Sequence, residues 1–207
     1  MEFIDLGFCD YKIALEKQKE VWAKRVNGEI NDTLILVEHP AVFTLGKSGK
    51  EENLLVSKIN LQEKNIPIYR VERGGDITFH GPGQIVGYPI FKLKNSLVSV
   101  RRFIYKIEEI LIEVLKEFNI VAQVSHPNIG VWVGNKKIAS IGLAVSKQVT
   151  FHGFALNVST ELDYFNYINP CGMRNIKMTS MQEILQKPIS MDSVKEKIQS
   201  VFSKYFI

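Results

Sequence analysis

The chain has 207 residues, 45% of them hydrophobic and 23% charged, which is enough apolar material for one large domain or two small ones. Its 26 basic against 22 acidic residues leave a net charge of +4, a mild excess that lacks the dense basic surface of a nucleic-acid binder. Its two cysteines, Cys9 and Cys171, form no CxxC pair, so neither a zinc ribbon nor a disulfide framework is indicated.

Met1–Leu6 carries acidic residues and no long apolar core, so a signal peptide is not expected. A run of about 18 apolar residues, as a membrane span needs, is also missing. A reducing cytoplasm is the expected location. Residues 11–26 place Ile13, Leu15, Val21 and Trp22 among lysines and glutamates, which predicts an amphipathic helix. Thr33–Val37 reads as a buried strand, and His39-Pro40 and Gly46–Lys50 as turns or loops.

Residues 66–71 and 85–91 read as strands around the most informative stretch, Arg73 to Gln84. Its twelve residues hold four glycines, a proline, a histidine and an arginine. Clustered glycine costs conformational entropy, so the stretch reads as a shaped loop held by sheet, where binding sites tend to sit. Leu97–Phe118 is the clearest predicted helix, with Phe103, Ile107, Ile110, Leu111, Val114 and Leu115 at 3.6-residue spacing. Short strands follow at 123–124, 130–133, 137–143 and 148–158, with Asn135-Lys136 as a hairpin turn between the second and third. Ser180-Met181-Gln182-Glu183 matches a capping box, and Asp192–Tyr205 makes a final helix. Strand runs separate from helix runs, which predicts an α+β fold. One domain over residues 1–207 is expected, with a small helical lobe after about residue 174.

Cys171 lies in Asn169-Pro170-Cys171-Gly172, a turn where packing gives little reason for a thiol. It is a candidate nucleophile, beside the alternative of an inert structural cysteine. A thiol needs a cation, a base or a helix N-terminus to become a thiolate at neutral pH. Lys136, Lys137, His80 and His152 are the candidates, and each has a bland alternative: a solvated turn for the lysines, a hydrogen-bonded core position for the histidines. The four histidines are scattered and none has metal-ligand spacing, so no metal is expected. GxGxxG is absent, and Gly46-Lys47-Ser48 lacks the first glycine of a P-loop, with Ala41 in its place. No cofactor is expected.

Four segments, in order, resemble one family: Arg73-Gly74-Gly75-x-x-Thr78-x-His80-Gly81-Pro82-Gly83-Gln84, then Lys137-Ile138-Ala139-Ser140-Ile141-Gly142, then Thr150-x-His152-Gly153-x-Ala155-Leu156-Asn157-Val158, then Phe165-x-x-Ile168-x-Pro170-Cys171-Gly172. With Glu38–Gly46 upstream they resemble the lipoyl(octanoyl) transferases, the LipB-type enzymes of lipoate biosynthesis, from about residue 30 to 185. The resemblance implies a mixed sheet packed by helices, like the catalytic domain of biotin and lipoate protein ligases. It implies transfer of octanoate from acyl carrier protein to a lysine of a lipoyl domain, in 2-oxoacid dehydrogenases and the glycine cleavage H protein. It implies Cys171 as the acyl-thioester nucleophile and Lys137, rather than Lys136, as the residue that lowers its pKa. It also implies acyl-substrate contacts at 73–80 (Arg73, Gly74, Gly75, Asp76, Ile77, Thr78, Phe79, His80), 140–142 (Ser140, Ile141, Gly142) and 153–155 (Gly153, Phe154, Ala155). In such a slot the small residues let backbone approach the chain, and Ile141 and Phe154 are expected to wall it. Oxyanion donors are expected near Gly142 or Cys171. Arg73, Lys47, Lys50, Arg174 and Lys177 are the expected docking rim for acidic protein partners.

Overall fold

A computed structural model describes residues 1–93, 97–172 and 176–206, with the side chains of 97, 98 and 171 left out. The chain opens with strand β1 (Glu2–Phe8) and helix α1 (Tyr11–Asn27). Asp10 caps α1 by accepting from the Lys12 and Ile13 amides. Gly28, at φ +78°, ends it in the left-handed conformation that glycine tolerates best. The buried side of α1 is Tyr11, Ala14, Gln18 and Val21. Of the predicted apolar face, Val21 is buried and Leu15 and Trp22 pack against core clusters, while Ile13 is 60% exposed.

Strands β2 (Thr33–Glu38), β3 (Val42–Leu45), β4 (Ile68–Arg70), β5 (Ile77–His80) and β6 (Gln84–Ile90) follow, with short helix α2 (Lys58–Glu63) between β3 and β4. After helix α3 (Leu97–Glu117) come β7 (Gln123–Ser125), β8 (Asn128–Val133), β9 (Lys136–Ser146) and β10 (Val149–Asn157). The β8–β9 turn is at Gly134-Asn135, one residue before the predicted position, where Gly134 supplies φ +58°. The chain closes with β11 (Lys177–Met178), α4 (Met181–Leu185) and α5 (Met191–Tyr205). Ser180 caps α4 by accepting from the Glu183 amide, as the capping-box reading predicts.

The large sheet runs β1-β2-β6-β10-β9-β8-β7, with β11 paired to β9. A small sheet runs β4-β3-β5. Parallel and antiparallel pairs both occur in each, so this is the mixed α+β architecture expected. Helices α3, α4 and α5 cover one face of the large sheet, burying Ile107, Leu111, Phe154, Met181 and Phe202 in one core cluster. Each such side chain contributes about 1.5–3 kcal/mol on burial. Helix α1 covers part of the other face through Ala14 and Val21 against Ile35, Val37, Val86 and Ala155. The segment before β5 reaches β9, where the Gly74 amide donates to Leu143 O at 2.8 Å. Among the described residues, no helix is long and apolar enough to cross a membrane.

Candidate active site

The site begins with alternation along β9 and β10. Gly142 pairs Gly153 and Ser140 pairs Ala155, so these four small residues share one face. Val86 pairs Ala155 and joins that face from β6, and Tyr88, two residues on, follows it. Wherever the floor is this shallow, a slot opens above it. The opposite wall is Arg73–Asp76 followed by Thr78 and His80 of β5. The resulting cleft is narrow, about 40 Å³, room for only a few waters.

Twelve of the fourteen residues expected to contact substrate line this cleft: Arg73, Gly74, Gly75, Asp76, Thr78, His80, Ser140, Ile141, Gly142, Gly153, Phe154 and Ala155. Ile77 and Phe79 do not. Ile77–His80 of the stretch expected to be loop form strand β5, and β5 alternates. Ile77 and Phe79 therefore point away, into a core with Phe43, Phe165 and Ile168. Ile77 also lines a separate apolar cavity of about 390 Å³ with Leu45, Leu61 and Ile66. Phe154 and Ile141 border the cleft, yet their side chains belong to the opposite face of the sheet. Phe154 stacks on Phe202 at 5.8 Å and Ile141 packs on the same core, so neither side chain is the wall it was expected to be. Tyr11, Val86, Tyr88 and His152 also line the cleft. The first three sit far away in sequence with no local chemical motif, while His152 was a candidate beside Gly153 and part of the third motif, though not an expected substrate contact.

The wall is held by backbone. The Lys47 amide donates to Arg73 O (2.9 Å), and the Ser48 amide donates to Gly75 O (3.1 Å). A Cβ at Gly46 would collide with the Gly75 carbonyl, so the apparent P-loop fragment is a clamp on the glycine loop. Arg73 is 8% exposed. Its guanidinium donates to Thr44 O (2.6 Å), Thr44 Oγ1 (2.9 Å) and Gly74 O (3.0 Å). It faces inward and is not part of a docking rim. Lys47, Lys50 and Lys177 are exposed, and Arg174 lies outside the described residues.

His80 is oriented by Gln84, whose Oε1 accepts from Nδ1 at 2.8 Å. Gln84 donates to Asn157 Oδ1 (2.9 Å), Asn157 to Thr179 O (3.0 Å), and Thr179 to Glu183 (2.7 Å). This chain of amides ties the cleft wall to the segment beside β9. Burial drives His80 down to about 3 and His39 down to about 4. His39 accepts from the Tyr88 hydroxyl at 2.8 Å and donates to Cys9 O. His152 falls to about 4, through burial and then the Arg73 charge. It adopts φ +56°, a rare conformation for a side-chain-bearing residue. All three histidines are neutral at pH 7.

The two lysines part company. Lys136 is half-exposed and ion-paired to Glu183 at 2.7 Å. Lys137 is 1% exposed; its Nζ donates to Ile129 O at 2.7 Å and stands 5.4 Å from the Trp132 ring centroid. β11 holds this region: Met178 pairs Lys137, and the Thr179 amide donates to Lys137 O at 2.9 Å.

The Cys171 side chain lies outside the described residues, but its backbone is placed. Pro170–Gly172 forms one 3₁₀ turn, with Asn169 anchored by its amide to Asn53 O at 2.8 Å. Gly172 takes φ +69°, and a Cβ there would be 2.8 Å from Asp76 Oδ2. The turn therefore sits on Asp76, a cleft residue whose carboxylate accepts from Asn53 Nδ2 (2.6 Å) and from the Ile77 amide (2.7 Å). The backbone thus brings the thiol-bearing turn to the cleft. Among the described residues no cluster could hold a metal ion.

The model of the lipoyl protein ligase A/B catalytic domain family matches residues 10–203. The chain is 46% identical over 207 residues to the octanoyltransferase of Alkaliphilus metalliredigens, covering 100% of this chain and 95% of that one. Its fold is similar to lipoate-protein ligase A bound with ATP, at TM-score 0.77 and 14% identity, covering 98% of this chain and 84% of that one. It is also similar to the biotin protein ligase of Aquifex aeolicus, at TM-score 0.55 and 14% identity, covering 99% and 68%.

Proposed function

We propose, for a chain that belongs to the lipoyl protein ligase A/B catalytic-domain family and is within it an octanoyltransferase of protein lipoylation, that transfer runs through a thioester on Cys171. The donor in this reading is octanoyl-acyl carrier protein, and the acceptors are lipoyl domains of 2-oxoacid dehydrogenases and the glycine cleavage H protein. One catalytic domain spans residues 1–207. Exposed Lys47, Lys50 and Lys177 are the docking rim for these acidic partners, in a reducing cytoplasm that keeps the thiol free.

The observation that supports this best is a cleft floored by Ser140, Gly142, Gly153 and Ala155, with the Pro170–Gly172 turn packed against its Asp76. A shallow apolar floor accepts an alkyl chain, and the turn delivers a thiol to it. At about 40 Å³, the cleft must widen to admit eight carbons.

In the first step the Cys171 thiolate attacks the thioester carbonyl; in this reading the Lys137 cation stands beside it and favours the thiolate. The C–S bond to the carrier breaks, and the leaving thiolate takes a proton from Lys137. Exchange of one thioester for another is nearly isoenergetic, which suits a cysteine. In the second step the acceptor amine attacks the acyl-enzyme, neutral Lys137 takes its proton, and Cys171 leaves as thiolate. Amide formation drives the transfer forward. Backbone N–H groups near Gly142 or Cys171 would supply the oxyanion donors.

An ATP-dependent ligase on this fold would need no cysteine nucleophile. Incubation with octanoyl-acyl carrier protein without ATP, followed by intact mass measurement, separates the two. An octanoyl adduct that Cys171→Ser abolishes supports the proposal. Transfer only with ATP, or an adduct that survives in Cys171→Ser, defeats it.

A further inference from the structure

A carboxylate is buried behind Lys137. Glu108 lies on α3 among its apolar residues and is 1% exposed. A charge at that depth is costly without partners. Its Oε1 accepts the Gly130 N–H at 2.8 Å. Its Oε2 is buried with no protein hydrogen-bond partner among the described residues. The other end of the same peptide group, the Ile129 carbonyl, accepts from Lys137 Nζ at 2.7 Å. Glu108 and Lys137 therefore grip opposite ends of one peptide unit. An anion at the N–H end makes the carbonyl a stronger acceptor, and a cation at the carbonyl end makes the N–H a stronger donor.

The backbone is shaped for this contact. Gly130 stands at φ +129°, and a Cβ there would lie 2.5 Å from Lys137 Cε and 3.1 Å from Nζ. Only glycine lets the peptide lie this close to the lysine. Among the described residues, His126, in the turn before β8, faces Glu108, and Lys136 is turned to Glu183. Burial pushes the Glu108 carboxyl up, while the Gly130 amide, His126 and Lys137 hold it down.

Resting on the reading of Lys137 as the lysine that moves the proton, we propose that Glu108 is a positioning residue for acyl transfer: through the Ile129–Gly130 peptide it aims the Lys137 ammonium and stabilises its charged form. Glu108 itself touches no substrate. Lys137 thereby keeps its proton until the carrier thiolate leaves, and takes one back from the acceptor amine.

Glu108→Gln retains an acceptor for the Gly130 N–H and deletes the charge. In the resting variant, the carbon-13 NMR titration of Lys137 Cε is expected to move to lower pH. The basic limb of the transfer pH profile is expected to move with it. The turnover rate should fall about tenfold, the scale of one charge-assisted hydrogen bond, with KM for the octanoyl donor little changed. An unmoved Lys137 midpoint in a folded variant overturns the proposal, whatever the melting temperature does. If Glu108→Gln does not fold, Glu108→Met, which also removes the buried charge, is read the same way. Failure of both to fold would show the carboxylate serving the core rather than Lys137, and would also overturn it. The titration needs no turnover, so it stands even if wild-type protein forms no acyl adduct, an outcome that would defeat the acyl-enzyme reading instead.

Discussion

Gly142→Ala tests whether the row of small residues forms the acyl slot. A Cβ at this position would stand 3.0 Å from the Gly74 carbonyl and 3.2 Å from Arg73 Cδ. These contacts are short by a few tenths of an ångström. The wall cannot retreat freely, because Gly74 donates to Leu143 O at 2.8 Å and Arg73 is tied to Thr44. Because the overlap is only a few tenths of an ångström, the resting fold should lose about 1 kcal/mol even with these tethers, the low end for overpacking, or about 2–4 °C in melting temperature. Substrate is another matter. The cleft holds about 40 Å³ and must open to take the chain, and the added methyl stands between floor and wall. Octanoyl kcat/KM is expected to fall roughly tenfold, the rate equivalent of about 1.4 kcal/mol. Gly142 is distal to Lys137 along β9, so a butanoyl donor, whose chain ends sooner, should lose far less. The assay compares the two donors at one carrier-protein concentration. Equal losses for both chain lengths, or none for either, would refute the slot.

Three further outcomes are expected. Phe154→Ala should destabilise the fold by about 3–5 kcal/mol because the ring stacks on Phe202, while a preserved chain-length preference would show that the ring is core and not wall; a shifted preference at normal stability would say the reverse. Stability should fall as pH drops below about 6.5, because His39, His80 and His152 are held near 4, 3 and 4 in the folded state while the unfolded chain takes up those protons. The limiting slope is roughly 4 kcal/mol per pH unit for three protons, and urea midpoints that stay flat from pH 7 to pH 5 would contradict it. Lys136→Ala should keep transfer, since it breaks one half-exposed pair with Glu183 worth at most about 1 kcal/mol. Lys137→Ala should lose transfer, and steady-state rates that rank the two variants the other way would remove Lys137 from the mechanism.

The place of the cleft was legible because much of it is written as motif: the glycines of 74–75 and the small residues of 140–142 and 153–155 line it. The proposed roles of Lys137 and Cys171 come from the resemblance to a family and not from their spacing alone. The long helix α3 was legible because its apolar positions repeat every 3.6 residues. What escaped depends on contacts between distant segments. Strands β3 and β5 are four residues each, too short for a clear alternation, so the inward turn of Ile77 and Phe79 was hidden. β1 pairs in parallel with β2, a partner that nothing in Glu2–Phe8 announces. Tyr11 and Tyr88 reach the cleft from a helix start and a central strand. Glu108 looks like a solvent-facing charge between apolar neighbours, and only the path of Ile129–Gly130 gives it a partner. A periodic pattern tells which face is apolar, but not which polar residue that face buries.

The most direct measurement is a chase of the isolated acyl-enzyme. Protein charged from octanoyl-acyl carrier protein is freed of donor, mapped by peptide mass spectrometry, and mixed with an unmodified lipoyl domain in the absence of ATP. The account predicts octanoyl on Cys171 before mixing, and its stoichiometric passage to one lysine of the lipoyl domain afterwards. Octanoyl that remains on the enzyme, or leaves only as free octanoate, would contradict it.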